Sequence, residues 1–302
     1  MRNRVMDAVA ALGYKPDLLA QSLRTGATKT VGFAVGDISN LLMSQIVLGA
    51  EIGLRGSGYS TLLTNSLNEP TRDLEQMTLL VERRVDGLLL SLNDETNVEF
   101  NQALAALDIP AVLVDRQIDG IELSAVLSDH ATGMRDAIDH LASLGHRHIG
   151  LVNGNPRVRP SRERSEELRS ASNRYPDLTG TVRSFSYSAQ HGYDTTLDLC
   201  SARNGPTAII AGGNQILIGV LRALREKGLS VPTDISLVTC DDLPLSEFLE
   251  PELSTISREP RRIGEEAAAL LLEMMKGEPT RVVILPTAFR PTASCTSPRK
   301  RT

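Results

Sequence analysis

Apolar positions along this chain follow two rhythms, one near 3.6 residues and one of short β-branched runs. Val5, Ala8, Val9 and Leu12 recur at i, i+3, i+4 and i+7 and stop at Gly13, which predicts an amphipathic helix over 3–12. That helix is too short to bury its apolar face alone. Pro16 and Asp17 open a second segment, 17–24, in which Leu19, Ala20 and Leu23 share one side before Gly26 ends it. From Thr30 strands and helices alternate. Strand-like runs fall at 30–35, 59–64, 86–92 and 110–114, with helices over 43–55 and 71–84 between them. A second series follows: strand 148–152, helix 161–171, strand 182–186, helix 189–203, strand 207–211, helix 214–227 and strand 235–239. Helix 261–276 and strand 281–285 come last. The fold class is therefore α/β, with two doubly wound parallel-sheet subdomains and a short helical N-terminal remnant. Folds of this kind bind ligands beyond the carboxyl ends of their strands, so the cleft between the halves is the expected pocket.

Composition adds direction. The net charge is −5 over 302 residues, which gives no global reason to expect nucleic acid. The distribution differs. Arg2, Arg4, Lys15, Arg24 and Lys29 face only Asp7 and Asp17 in residues 1–29. A small basic arm on an acidic body fits a nucleic-acid contact confined to the arm. Cys200, Cys240 and Cys295 are far apart and form no C-x-x-C pair, which argues for a reducing compartment and no metal framework. No apolar run reaches spanning length and no signal-peptide core opens the chain, so a cytoplasmic protein with no membrane partner is expected. With no Trp and 3% aromatics, base-stacking platforms are disfavoured.

Catalytic motifs are missing. Gly26-Ala-Thr-Lys29-Thr30 lacks phosphate-loop spacing, and Gly56-Ser57-Gly58 lies between a helix and a strand, the order of a C-cap turn. There is no G-x-S-x-G and no H-E-x-x-H. His146 and His148 flank Arg147 without a third ligand, so surface or capping roles are expected and no metal. Asp241-Asp242 follow a predicted strand and suit hydroxyl recognition. No nucleophile, base and oxyanion set assembles, so no enzyme, catalytic residue or cofactor is expected.

The run RNRVMDAVAALGYKPDLLAQSLRTGATKTVGFAVGDISN, followed by RRVDGLLLSL, VDRQIDG, HLASLGHRHIGLVNG, PTAIIAGGN, EKGLSVPTDISLVTCDD and ILPT, resembles the lactose-repressor (LacI/GalR) family of bacterial transcription regulators. The matches keep family order from residue 2 to about 296. The resemblance implies a helix-turn-helix unit, a hinge helix and a dimerising, periplasmic-binding-protein-like effector domain. Only the third helix of the DNA-binding unit (3–12) and the hinge match here; the recognition helix would lie on residues before Met1. Ala20 and Leu23, with Arg24 beside them, match hinge residues that enter the minor groove, where a leucine wedge kinks the duplex.

The same resemblance implies the remaining layout. Residues 1–28 are the DNA-binding remnant and hinge, 29–144 with 260–287 the first effector half, 145–259 with 288–296 the second, and 297–302 a disordered tail. Crossovers are expected near 129–146, 257–261 and 286–289. Effector contacts carry over to Asn40, Leu42, Asn65, Ser91, His130 and Thr132 from one half, and to Arg162, Tyr187, Asn214, Asp241 and Arg258 from the other. Asn, Asp and Arg hydrogen-bond adjacent hydroxyls, and Arg clamps carboxylates. Leu41-Leu42-Met43 replace a Pro-aromatic-aromatic run common in the family, Gln215 stands for Asp, Glu167 for Gly, and Cys240 for Gly or an aromatic. Arg162 and Arg258 together suggest an acidic ligand such as a sugar acid. The implied partners are a sugar or sugar-acid effector, operator DNA in the full-length form, and a second copy in a homodimer. A ligand in the cleft would favour one orientation of the halves and so set hinge spacing and operator binding. The alternatives are a transporter's solute-binding protein, which would need a signal peptide and no hinge, an enzyme on an α/β scaffold, and a truncated regulator acting through mixed dimers.

Overall fold

β1 (Thr30–Val35) shows why two sheets form. Val31, Phe33 and Val35 point into a core with Ile46 and Leu271, while Ala34 points the other way, toward Met77 and Leu88. A strand buried on both faces requires helices on both sides of its sheet. The computed structural model describes residues 26–243 and 248–299. The predicted helix 3–12 and the hinge segment with Ala20, Leu23 and Arg24 lie outside the described residues.

The first half runs β1, α1 (Leu41–Gly56), β2 (Ser60–Asn65), α2 (Pro70–Glu82), β3 (Gly87–Leu90), α3 (Val98–Ala105), β4 (Ala111–Val114) and β5 (Ser124–Ser128). The chain then enters the second half through α4 (His130–Ser143), β6 (His148–Asn153), α5 (Arg159–Ser170), β7 (Thr179–Ser184), α6 (Ala189–Ser201), β8 (Ala208–Ala211), α7 (Asn214–Glu226), β9 (Ser236–Cys240) and β10 (Ser254–Ser257). It returns for α8 (Pro260–Met274) and β11 (Val282–Leu285), and ends in the second half with β12 (Ala288–Arg290).

The first sheet has the order β11-β5-β4-β3-β1-β2, all parallel. The second has the order β12-β10-β9-β8-β6-β7, parallel except for the β10 to β12 pair. The fold is the α/β pair of doubly wound sheets that the alternation predicts. No helix among the described residues is long and apolar enough to cross a membrane.

Three expectations change. Helix α4 was placed in the first half by a boundary at 144. Its buried face, Met134, Ala137, Ile138 and Leu141, packs with Ile149, Leu151 and Val238, so it belongs to the second half. The crossing is the short step from Ser128 to His130. The tail expected to be disordered from 297 is ordered at least to Arg299, whose guanidinium meets Asp234 at 2.9 Å. His146, expected at the surface, is buried. Nδ1 lies 2.7 Å from the Thr207 hydroxyl, and Nε2 lies 2.9 Å from the Thr296 carbonyl and 3.0 Å from the Ser236 hydroxyl. It fastens the end of the chain to the second sheet. The Gly56-Ser57-Gly58 turn is the C-cap of α1, with Gly58 at φ +78°.

Candidate functional site

Both sheets present the carboxyl ends of their strands to one cleft, whose enclosed space is about 60 Å³. Asp37 and Asn40 follow β1, Asn93 follows β3, and Asp115 and Arg116 follow β4. From the second half come Arg164 on α5, Tyr187 before α6, Asn214 opening α7, and Asp241 just past β9. Arg258 lies on the crossover after β10.

The floor is an ionic network. Arg258 Nε donates to Asp241 Oδ1 at 2.6 Å, and its Nη1 donates to Asp115 Oδ2. All three side chains are 5–6% exposed. Both aspartates sit in the left-handed backbone region, at φ +54° for Asp115 and +74° for Asp241. Such strain persists where surrounding contacts over-determine it. His130 Nε2 lies 3.2 Å from each Asp115 oxygen, and Arg164 Nη2 lies 3.3 Å from His130 Nδ1.

Burial, reinforced by Arg164 and Arg258 and opposed by Asp115, lowers the His130 pKa to about 4. The ring is therefore neutral at pH 7. Its neighbours fix the tautomer: Nε2–H donates to Asp115 and Nδ1 accepts from Arg164. Burial works against the Asp115 carboxylate, but His130, Arg258 and Arg116 hold it well below the usual range. Asp241 is held low against burial by Arg258 and Arg164. Burial works against the Arg258 guanidinium too, and the two aspartates outweigh it, raising its pKa.

Above this floor several groups face the cleft with capacity to spare. Arg164 is buried; it donates to the Gly212 carbonyl at 2.7 Å and to His130, and meets no carboxylate at ion-pair distance among the described residues. Asn214 is 3% exposed; its Nδ2 donates to Asn40 Oδ1 across the cleft at 3.0 Å, and its Oδ1 has no partner. Asn93 spends both amide hydrogens, on Ser66 Oγ at 2.7 Å and Asp73 Oδ1 at 2.8 Å, so its Oδ1 is left as an acceptor beside Gly36. Tyr187 lies flat against Gly154, where any added Cβ would strike the ring.

Six of the eleven expected contacts line the cleft: Asn40, Leu42, Tyr187, Asn214, Asp241 and Arg258. The other five do not. His130 sits behind the floor and acts through Asp115 and Arg164. Thr132 lies in the first turn of α4 and is taken up by the N-cap Asp129, its hydroxyl donating to Asp129 Oδ2 at 2.6 Å. Ser91 is buried beneath the cleft, and Asn65 accepts from the Leu67 amide in a turn. Arg162 faces outward and pairs with Glu95 of the other half at 2.7 Å. Arg164, two positions on, takes the place expected for it. The signal was present: Arg164 stands four residues before Leu168, which is buried in the second core, so the two share one helix face. Asp115 and Arg116 lie within the VDRQIDG match but were not singled out, and neither was Asn93.

The two arginines behind the expectation of an acidic ligand do not meet in the cleft. Arg162 is elsewhere, and Arg258 is neutralised by two carboxylates. The charged side chains lining the cleft balance, with Arg116, Arg164 and Arg258 against Asp37, Asp115 and Asp241.

The comparisons with known proteins agree with this geometry. Residues 138–295 match the family model of the periplasmic binding protein-like domain. An HTH-type transcriptional repressor, PurR, of Actinobacillus pleuropneumoniae is 31% identical over 278 residues, covering 91% of this chain and 82% of that protein. A LacI family transcriptional regulator from Enterococcus faecium, solved with bound ribose, superposes with a TM-score of 0.80 at 27% identity, covering 89% of this chain and 100% of that one. The Lac repressor dimer bound to operator and the anti-inducer ONPF gives a TM-score of 0.86 at 26% identity, covering 98% of this chain and 90% of that one. The repressor match spans both halves, and the cleft lies where this architecture binds small molecules. The chain therefore belongs to the LacI family of transcriptional regulators.

Proposed function

We propose that this chain is an effector-responsive transcriptional regulator, a cytoplasmic homodimeric repressor whose interlobe cleft takes a neutral sugar. The observation that carries this reading is the set of unspent groups around a charge-balanced floor. Arg164 offers donors, while the Oδ1 atoms of Asn93 and Asn214 offer acceptors. A polyol presents both kinds of partner on adjacent carbons. Ribose bound to the Enterococcus faecium relative supports the same class.

The halves are joined across the cleft by Asn214 to Asn40, by Arg157 to Asp94 at 2.7 Å, and by Arg162 to Glu95. A sugar bridging Asn93 and Asn214 would favour one relative orientation of the halves. In a dimer that orientation sets the spacing of the segments at 17–24 and hence the grip on operator DNA.

Calorimetric titration with ribose, glucose and galactose, each against its sugar acid, tests the ligand class. A Kd below ~1 mM for a neutral sugar, with its acid weaker, is the expected result. Tighter binding of the acids would overturn the neutral-ligand reading, and binding of none of the six would overturn the effector reading. Operator affinity is then measured with and without the sugar on the chain extended by a helix-turn-helix unit.

A further inference from the structure

We infer that Asp86 is a positioning residue for the operator response: it fixes the root of the N-terminal segment to the first half, so that a turn of that half reaches residues 17–24 without slack. This rests on the sugar-effector reading above and concerns its output, not its ligand.

The grip is made on backbone. Asp86 Oδ1 accepts from the Thr28 amide at 2.8 Å, and Oδ2 accepts from the Lys29 amide at 2.9 Å. The Thr28 hydroxyl lies 2.9 Å from Asp86 Oδ1 and 2.9 Å from the Arg84 carbonyl. A carboxylate that takes two consecutive amides fixes the direction of the chain as well as its position, and charge-assisted bonds of this kind are the stronger class. Lys29 is held at φ +54°, the left-handed region that a lysine enters only at a cost. Its Nζ lies 3.4 Å from the Tyr59 hydroxyl and 4.4 Å from the centre of that ring. Thr28 stands four positions after Arg24, so the held amides are a short step along the chain from the segment at 17–24.

The place of this grip in the sheet gives it its meaning. The amino ends of three neighbouring strands meet here: Asp86 precedes β3, Lys29 precedes β1 and Tyr59 precedes β2, in the sheet order β3-β1-β2. The Asp86 amide donates to the Thr30 carbonyl at 2.8 Å, and the Ser60 amide donates to the Lys29 carbonyl at 2.9 Å. Beyond the carboxyl ends of β1 and β3 stand Asp37, Asn40 and Asn93, in the wall of the cleft. β1 has six residues, a span of about 20 Å. The cleft wall and the held amides are therefore the two ends of the same buried strands. Packed interiors shift as units and do not deform continuously, so a displacement at one end arrives at the other. Asp86 converts that displacement into a displacement of the chain at Thr28.

The test uses Asp86→Ala and the milder Thr28→Val, which removes the hydroxyl and leaves both amide bonds. In the 302-residue protein, amide hydrogen exchange read by mass spectrometry is expected to quicken about tenfold or more at residues 28–29 in Asp86→Ala, with Val31–Val35 unchanged. The second reading is made on the chain extended by a helix-turn-helix unit. It is the ratio of affinities for a duplex selected from a random-sequence pool, without and with the tightest-binding of ribose, glucose and galactose. That ratio is expected to fall at least about threefold toward one in Asp86→Ala, and by less in Thr28→Val, while the calorimetric sugar Kd stays within about twofold of wild type. Freed amides with an undiminished ratio would overturn the assignment and leave the sugar-effector reading standing. A sugar Kd or a Val31–Val35 exchange rate that worsens along with the ratio would also overturn it, making Asp86 a support of the fold alone. Should Asp86→Ala not fold, a wild-type ratio in Thr28→Val would decide against it. A wild-type affinity for the duplex that none of the three sugars changes would remove both readings.

Discussion

Arg258 bridges Asp115 of one half and Asp241 of the other, so the crossover after β10 carries the ion pairs that join the two strand ends. Removing one partner of a buried ionic set is costly because the remaining charges lose their compensation. Arg258→Met is expected to destabilise the fold by about 3–5 kcal/mol, read from urea unfolding. Adding Asp115→Asn and Asp241→Asn to it is expected to recover part of that loss, since the two carboxylates are then no longer buried without their guanidinium.

His130 sets an acid limit. Its folded pKa of about 4 lies below the value of 6.5 for the free side chain. The unfolded chain therefore binds the proton first as pH falls. Stability from this group is complete above pH 6.5 and is lost progressively between 6.5 and 4. The loss amounts to roughly 3 kcal/mol at most. Burial also lowers the pKa values of His140, His146 and His191, so all four work in the same direction. The specific measurement is the difference in unfolding free energy between wild type and His130→Gln from pH 7 to 4.5. The wild type is expected to show the steeper decline.

Arg164 and Arg162 separate the ligand site from the interlobe brace. Arg164→Met is expected to weaken sugar binding by ~10–100-fold, the loss of charge-assisted hydrogen bonds to the ligand. Arg162→Met leaves the buried Glu95 carboxylate without its half-exposed cation and is expected to cost about 1–3 kcal/mol of stability. Calorimetry for the first and urea unfolding for the second would reverse the assignment if the larger affinity loss fell on Arg162.

Asn40 has two duties. Its Oδ1 caps α1 through the Leu42 amide at 3.0 Å and accepts from Asn214 across the cleft. Asn40→Ala is expected to cost ~1 kcal/mol of stability as a lost cap. It should also weaken effector binding, whereas Asn40→Ser, which can cap but is shorter, should restore stability more than affinity.

Gly154 is where Tyr187 rests. Gly154→Ala forces the ring out of its place and is expected to cost about 1–3 kcal/mol, as overpacking does. It should also lower sugar affinity at least tenfold. An unchanged calorimetric Kd would show that Tyr187 has no part in the cleft.

Much of the fold was legible because burial on both sheet faces leaves continuous apolar runs, as in Gly87–Leu90 and Ala208–Ala211. β5, with Ser at both ends, and β10, Ser-Thr-Ile-Ser, are strands whose polar residues are buried and satisfied by long-range partners. Ser254 Oγ, for instance, accepts from the Thr292 amide at 2.9 Å. No local pattern announces such bonds. Helix α4 carries an unbroken stripe, Met134, Ala137, Ile138 and Leu141, but a stripe does not say which sheet it covers, and only docking shows that it belongs to the second half.

The sequence by itself determined the α/β class, the two halves, the family and the stretches of chain that border the cleft. These follow from periodicity and from motifs, which are local. Only the tertiary structure decided that Arg164 and not Arg162 faces the ligand, that His130 stands behind Asp115, and that Arg258 is neutralised by aspartates 143 and 17 residues away. Such pairings depend on side-chain direction and on charges brought together by two crossovers, and the energy of a buried charge is set by what lies within a few ångströms of it, wherever along the chain that neighbour comes from.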